Sequence, residues 1–223
     1  MRKADTILDI HRKRGAERLP LERVYKHLFN PELHLHAYGK IYRNAGAMTQ
    51  GTTKETVDGM DLQRVHNIIG LLRRERYAWT PVRRTAIPKA NGKMRPLGIP
   101  TWSDKLLQEV LRMLLEPYYE QRFSNHSHGF RPQRSCHSAL QEIRMSWRGT
   151  VWFIEGDIKG CFDNIDHQVL LDIILRDIHD GRLIKLIAGL LEAGYMEDWR
   201  YYETLSGTPQ GGIVTPPTIL RKR

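Results

Sequence analysis

The 223 residues include only two cysteines, Cys136 and Cys161, at no metal-binding spacing. That scarcity excludes a disulfide-stapled scaffold and a cysteine-ligated zinc site, and it fits a reduced intracellular protein. No apolar run approaches the roughly 20 residues that span a bilayer. No membrane partner is therefore expected. The opening MRKADTILDIHRKRG lacks the apolar centre and small-residue cleavage site of a secretion signal, so the expected location is the cytoplasm. Internal repeats and low-complexity tracts are absent too, which excludes solenoid and disordered-linker architectures.

What the chain has in excess is positive charge. The formal net charge is +10, and it is unevenly placed. Residues 1–100 hold 20 Lys and Arg against 9 Asp and Glu, whereas residues 101–223 hold 15 against 16. A basic front half joined to a neutral back half points to a polyanion partner at the front and different chemistry behind. A merely solvated basic face is the competing account, and charge alone separates the two weakly. Apolar residues at 40% and a length of 223 allow one large domain or two small ones with a real core.

Periodicity predicts mixed helices and strands without regular strand–helix alternation, hence an α+β fold. Residues 5–14 read as a short basic helix. A second helix is expected after Pro20, with Leu21, Val24, Tyr25 and Leu28 on one face. Residues 30–60, rich in Gly, Asn and Thr, read as a long ordered loop with small helical turns. Asp61 caps a helix whose face is Leu62, Val65, Ile69 and Leu72. Two extended runs flank Asn91-Gly92, the strongest local signal for a tight hairpin. Pro88, Pro96 and Pro100 make it an edge or a protruding finger. Ser103 is expected to cap an apolar helix that Pro117 ends. A helix follows from Ser135 to Trp147. Residues 150–158 read as a buried strand ending in an acid. Asp166 caps a helix through Ile178, Leu183 to Leu191 form another, and residues 195–206 read as a hairpin.

Three places carry chemistry. The run Phe153 to Asp163 delivers Asp157 at a strand end, a hard oxygen ligand of the kind that Mg²⁺ takes alongside substrate phosphates. A capping or ion-paired aspartate has the same local signature. Lys89 and Arg95 stand on the two hairpin strands with Lys93 at the tip, a set that can grip a triphosphate. Charges that guard a solvated strand edge would look alike. In Thr208-Pro209-Gln210-Gly211-Gly212, two glycines let the backbone approach a ligand and Gln210 offers a donor and an acceptor. An ordinary loop turn remains the alternative there.

Their order decides between these accounts. RPLGIP at 95–100, HGFRPQRS at 128–135, GDIKGCFDNIDH at 156–167 and GTPQGG at 207–212 resemble the consecutive signature blocks of group II intron reverse transcriptases. Residues 39–60 resemble that family's extra N-terminal block, and the resemblance covers about residues 20–215. It implies a right-hand polymerase with fingers and a partial palm, an incomplete antiparallel palm sheet and no thumb. The implied divisions are 1–105, fingers with an N-terminal RNA-binding extension; 106–165, the first part of the palm; 166–212, fingers again; and 213–223, an aberrant start of the remaining palm. It implies Asp157 as catalytic aspartate, with Asp157 and the Ile158 carbonyl facing metal. It implies Phe162 as the gate against a ribose 2′-hydroxyl, Lys89 and Arg95 on the incoming triphosphate, and Gln210 near nucleotide and template. Arg83, Arg84, Lys93 and Arg131 are the expected RNA contacts. Asp163 and Asp166 read better as turn and cap residues.

The implied cofactor is Mg²⁺, two ions in the complete family enzyme. The implied partners are RNA template or intron RNA, a DNA primer and dNTP, and a homodimer is left open. The sequence departs from the family after Gly212, where Ile-Val-Thr-Pro-Pro-Thr-Ile-Leu-Arg-Lys-Arg stands in place of a palm helix. No acidic residue follows Glu203, so the family's Tyr-x-Asp-Asp carboxylates have no counterpart in these residues. The expectation is a fragment that is inactive by itself. A non-catalytic RNA-binding remnant is the alternative function, and a remnant that does not fold stably is a third.

Overall fold

The basic N-terminal segment forms helix α1 (Ala4–Ala16), which turns Ala4, Ile7 and His11 inward. The computed structural model describes residues 2–44, 46–88, 92, 94–160, 164–204, 206–207 and 213. After α1 the chain makes strand β1 (Leu21–Glu22) and a 3₁₀ turn at Tyr25–Phe29, not the α-helix expected there. The apolar residues of that stretch are buried as expected, but Arg23 at φ +53° breaks the helical path. The reading of residues 30–60 as loop is corrected by helix α2 (Pro31–Ile41). Its start signal is Asn30, whose side chain accepts the Glu32 N–H, followed by Pro31 in the first turn. Leu33, Ala37 and Ile41 then face the core at helical spacing.

Helix α3 (Leu62–Arg73) begins at Asp61, whose carboxylate accepts the Arg64 N–H at 2.7 Å. Leu62 turns out to be exposed, and Ile68 takes its place on the inner face. Strands β2 (Val82–Pro88) and β3 (Met94–Ile99) form the antiparallel hairpin, with Ile87 opposite Arg95. Helix α4 (Trp102–Glu120) follows. Its cap is Thr101, which accepts the Asp104 N–H, so Ser103 lies inside the helix. Pro117 does not end the helix either. It forfeits one backbone bond in the last turn, and complete burial of Tyr118 and Tyr119 beyond it outweighs that loss. Gly15 permits the contact of α1 with α4, because a Cβ there would lie 3.0 Å from the Tyr118 carbonyl carbon.

Helix α5 (Cys136–Ser146) starts at a capping box between Ser135 and Ser138, yet buries no residue. Residues 150–158 are not a buried strand. They are irregular, and Trp152 is 88% and Ile154 100% exposed. A strand exists only by pairing, and among the described residues none pairs with this one. Asp166 caps helix α6 (His167–Leu175) as expected, but the helix stops three residues short of Ile178. Strand β4 (Ile178–His179) instead pairs in parallel with β1. Helix α7 (Gly181–Glu192), capped by Asp180, leads to strands β5 (Tyr195–Glu197) and β6 (Arg200–Tyr202).

The described residues thus form a mixed α/β fold of seven α-helices and two small sheets, the larger ordered β3-β2-β5-β6. Strand β2 meets β5 only at Val82 and Arg83, so the rest of the hairpin projects beyond the sheet. No helix among the described residues is long and apolar enough to cross a membrane.

A polar pair joins the buried His11 of α1 to the half-buried His27 of the 3₁₀ turn. His11 Nδ1–H donates to the Leu114 carbonyl at 2.7 Å, which leaves Nε2 to accept from His27 Nδ1 at 3.3 Å. Burial lowers the pKa of both imidazoles, that of His27 to about 4, with His11 as the next cause for His27. Between the unfolded value of 6.5 and about 4 the unfolded chain binds more protons than the folded one. Stability is therefore full above about pH 6.5 and falls as pH drops through that window. Urea unfolding should show a lower midpoint near pH 5 than near pH 7.5, and His27→Gln should flatten the difference.

Candidate nucleotide and nucleic-acid site

The hairpin owes its position to one buried carboxylate. Asp104 Oδ1 accepts the Tyr77 hydroxyl at 2.7 Å, and Oδ2 accepts the Thr80 N–H at 3.1 Å and the Thr101 hydroxyl at 2.8 Å. Thr80 stands just before β2 and Thr101 just after β3, so one side chain of α4 clamps both ends of the hairpin. Burial raises the Asp104 pKa despite the hydrogen bonds that oppose the shift. Burial and the neighbouring carboxylate also push the Tyr77 hydroxyl well above its ordinary value.

Strand alternation then sorts the hairpin side chains. Arg83, Thr85 and Ile87 of β2 share a face with Arg95, Leu97 and Ile99 of β3. Both Arg83 and Arg95 are exposed on it. Residues 49–52 are strapped across the base of that face. Arg83 donates Nε and Nη2 to the Gln50 carbonyl at 3.0 and 2.8 Å. The Thr52 hydroxyl donates to the Pro81 carbonyl, and Lys105 Nζ donates to the Thr49 carbonyl at 3.0 Å. Gly51 is required there, since a Cβ would fall 2.7 Å from the Pro100 backbone. Lys105 has its pKa lowered by burial and by Arg83. A cavity of about 230 Å³ lies among Thr49, Leu97, Gly98, Trp102, Lys105 and Ile213.

Described residues on both sides of the Gly-rich turn are anchored. Before it, Gly207 donates its N–H to the Ile165 carbonyl at 2.8 Å, and its own carbonyl accepts His167 Nε2–H at 2.6 Å. After it, the Ile213 N–H donates to Gln108 Oε1 on α4 at 2.8 Å. Gln210 lies between these anchors, and together with Lys89, Lys93, Phe162, Cys161 and Asp163 it lies outside the described residues. Asp157 and Ile158 are exposed on the irregular segment that precedes Asn164. A carboxylate and a carbonyl are donors that suit Mg²⁺. Among the described residues, no group of three His, Cys, Asp or Glu side chains could hold a metal ion.

The remaining basic candidates divide. Arg84 lies 4.5 Å from the Tyr195 ring centre and 3.9 Å from Glu197, on the opposite hairpin face from Arg83. Arg131 is buried, and four of its five N–H groups are used on Glu120, Ser124 and Ser127. That arrangement pins the loop after α4 and turns the guanidinium inward. The same loop is held on α5 by His126 and His128, which both contact Glu142 and hold its carboxyl below the usual range. Sequence reasoning missed Asp104, Gln108 and His167 as the residues that assemble the site. Only Asp104 carried a signal, the Thr101-x-x-Asp104 spacing of a helix start.

A family profile described as reverse transcriptase (RNA-dependent DNA polymerase) matches residues 87–221. The chain is 51% identical over 195 residues to the group II intron-encoded protein LtrA of Lactococcus lactis subsp. cremoris. That alignment covers 87% of this chain and 33% of LtrA. It is 48% identical to an uncharacterized 91 kDa protein in the cob intron of Schizosaccharomyces pombe, over 85% of this chain and 23% of that protein. The chain thus spans a third or less of the length of these relatives. Among solved structures, a partial Cas6-RT-Cas1–Cas2 complex superposes with a TM-score of 0.59 over 88% of this chain and 33% of that one. At 22% identity it shows a shared fold.

Arg131 is buried in the fold, whereas Arg83 is exposed on the hairpin face. Arg131→Ala should lower unfolding stability by roughly 1.5–3 kcal/mol, the range for hydrogen bonds to charged groups, and leave RNA affinity unchanged once folded. Arg83→Ala should weaken RNA binding in a filter-binding titration, with a smaller salt slope.

Proposed function

Because the chain belongs to the reverse transcriptase (RNA-dependent DNA polymerase) family, we propose that it forms the fingers and the first part of the palm of an RNA-directed DNA polymerase of the group II intron type. The observation that carries this reading is the shared face of the hairpin. It presents Arg83 and Arg95 together, and Leu97 on that face borders the cavity that Ile213 closes beyond the Gly-rich turn. Residues 1–105 and 166–212 are the fingers in this reading, 106–165 begin the palm, and 213–223 are an aberrant start of its remainder. Phosphoryl transfer depends mostly on position and charge neutralisation, which suits a site made of arginines and backbone donors.

Arg95 and Lys89 hold the triphosphate of a dNTP, and Gln210 contacts nucleotide and template from the turn between Gly207 and Ile213. Phe162 excludes a ribose 2′-hydroxyl. Arg83, Arg84 and Lys93 grip template or intron RNA opposite a DNA primer, while Arg131 orders the loop behind them. Asp157 and the Ile158 carbonyl face Mg²⁺, which when bound neutralises phosphate charge and activates the attacking hydroxyl. Asp157 is the one carboxylate these residues bring to that task, whereas a two-ion site needs more.

A second reading, a non-catalytic RNA-binding protein, is favoured by the exposed, unpaired segment that carries Asp157. Binding of a fluorescent dNTP to the chain with an RNA–DNA primer duplex separates the two. The polymerase reading expects dNTP binding that Arg95→Ala weakens at least about tenfold, the loss of one charge-assisted hydrogen bond. It also expects no primer extension by these 223 residues alone. RNA binding with no dNTP affinity would leave the second reading, and robust cDNA synthesis would overturn the limit set by one carboxylate.

A further inference from the structure

Away from the hairpin, two cavities adjoin between the 3₁₀ turn, the end of α3 and the start of α7. One, of about 470 Å³, is lined by Arg23, His179, Asp180, Gly181, Arg182 and Lys185. Its only carboxylate is already committed: Asp180 is buried and accepts the Tyr25 N–H at 2.8 Å and the Leu183 N–H at 3.4 Å. Among the described residues no carboxylate pairs with Arg23 or Lys185, and Arg182 meets Glu75 only at 3.8 Å. The cavity is therefore a strongly cationic recess.

The other cavity, of about 180 Å³, shares Arg182 and Lys185 with the first. Its remaining wall is aromatic, made by Tyr25, Tyr77 and Trp79. The polar atoms of those rings are spent elsewhere. Tyr25 donates its hydroxyl to the Leu72 carbonyl, Tyr77 to Asp104, and Trp79 its Nε1–H to the Leu186 carbonyl. Tyr25 is buried and its ring already carries Arg182, 5.1 Å from the ring centre, so the ring surface left for a ligand belongs to the half-buried Tyr77 and Trp79, which pack edge-to-face. Gly189 keeps the recess open, since a Cβ there would already touch Trp79 Cδ1 at 3.4 Å. Cations beside the partly exposed rings of Tyr77 and Trp79 match a nucleotide, whose phosphate is an anion and whose base stacks. An acidic peptide would use the cations and leave the rings idle.

We propose that these joined recesses form a second nucleic-acid site that holds one unpaired nucleotide. Its phosphate lies on Arg23, Arg182 and Lys185, and its base lies against Tyr77 and Trp79. None of the residues assigned to metal, dNTP or template lines it. It rests on the reading above only for the choice of RNA as ligand. Glu75, at the rim of the aromatic recess and near Arg182, opposes the phosphate and limits affinity.

The test is fluorescence anisotropy of a labelled 12-nucleotide oligouridine with the 223-residue chain, across salt, with UMP as free-nucleotide competitor. The double variant Arg182→Ala with Lys185→Ala should bind at least about tenfold more weakly, with a salt slope smaller by about 1 to 1.5. Gly189→Leu should lower affinity roughly five- to 150-fold, the span of one lost base stack, with the slope unchanged. Glu75→Gln should tighten binding about two- to fivefold, the size of a surface charge interaction, which misfolding cannot imitate. Oligouridine carrying 5-bromouracil should cross-link on irradiation to the tryptic peptide of residues 77–83, which holds Tyr77 and Trp79. Displacement by UMP would identify a site open to free nucleotide, and binding of the oligonucleotide alone a site for RNA; either outcome supports the site. Wild-type affinity in the double variant, with no cross-link at 77–83, overturns it while leaving RNA binding elsewhere intact. Failure of the unmodified chain to bind oligouridine overturns both this site and the RNA-binding reading.

Discussion

Burial of α4 on almost every side is the constraint from which the rest of this structure follows. Leu106, Leu107, Val110, Leu111, Leu114 and Leu115 have essentially no exposure. Each such side chain contributes roughly 1.5–3 kcal/mol by leaving water. A helix enclosed in this way must satisfy its polar side chains inside the protein, because an unpaired buried polar group costs about 1–3 kcal/mol. Asp104, Gln108 and Glu109 are all buried on α4, and each becomes a fastening. Asp104 holds both ends of the hairpin, Gln108 holds Ile213, and Glu109 accepts two bonds from Arg112 at 2.7 and 2.9 Å. The functional surface is thus hung from the core by hydrogen bonds that the core requires for its own sake.

That arrangement explains why the candidate site is firm at its base and open at its edges. The hairpin is clamped at Thr80 and Thr101, strapped by the Gln50 carbonyl, and joined to β5 by two residue pairs, after which it extends beyond the sheet. The cations on it gain reach from the projection and keep their alignment from the clamp. The opposite case is the 150–160 segment, where Asp157 sits among exposed apolar residues and, among the described residues, no strand pairs with it. Apolar exposure on that scale marks a surface built to be covered.

Much of this was legible in the residues before any coordinates. Asn91-Gly92 between two extended runs located the hairpin, and Asp61, Ser135 and Asp166 each announced a helix that begins just after them. These signals are local, so the chain carries them whatever it packs against. The misreadings share the opposite property. Pro117 is a helix breaker by local rule, and two buried tyrosines overrule it. Arg131 reads as a surface cation, and Glu120 with two loop carbonyls draws it inward. Residues 30–41 read as loop because Gly and Asn dilute the window, although Asn30 and Pro31 together are a helix start.

By itself the sequence determined the family, through four ordered blocks, and located the candidate site, through the placing of arginines, an aspartate and paired glycines. Those are matters of residue type and spacing along the chain. Tertiary structure alone decided which cations are exposed on the hairpin and which are drawn into the fold, and which distant residues anchor Gly207 and Ile213. It alone set Arg23 and Trp79 in two cavities that share Lys185. Such facts depend on burial and on pairings across many residues, where the energy of a contact is set by neighbours that no local pattern names.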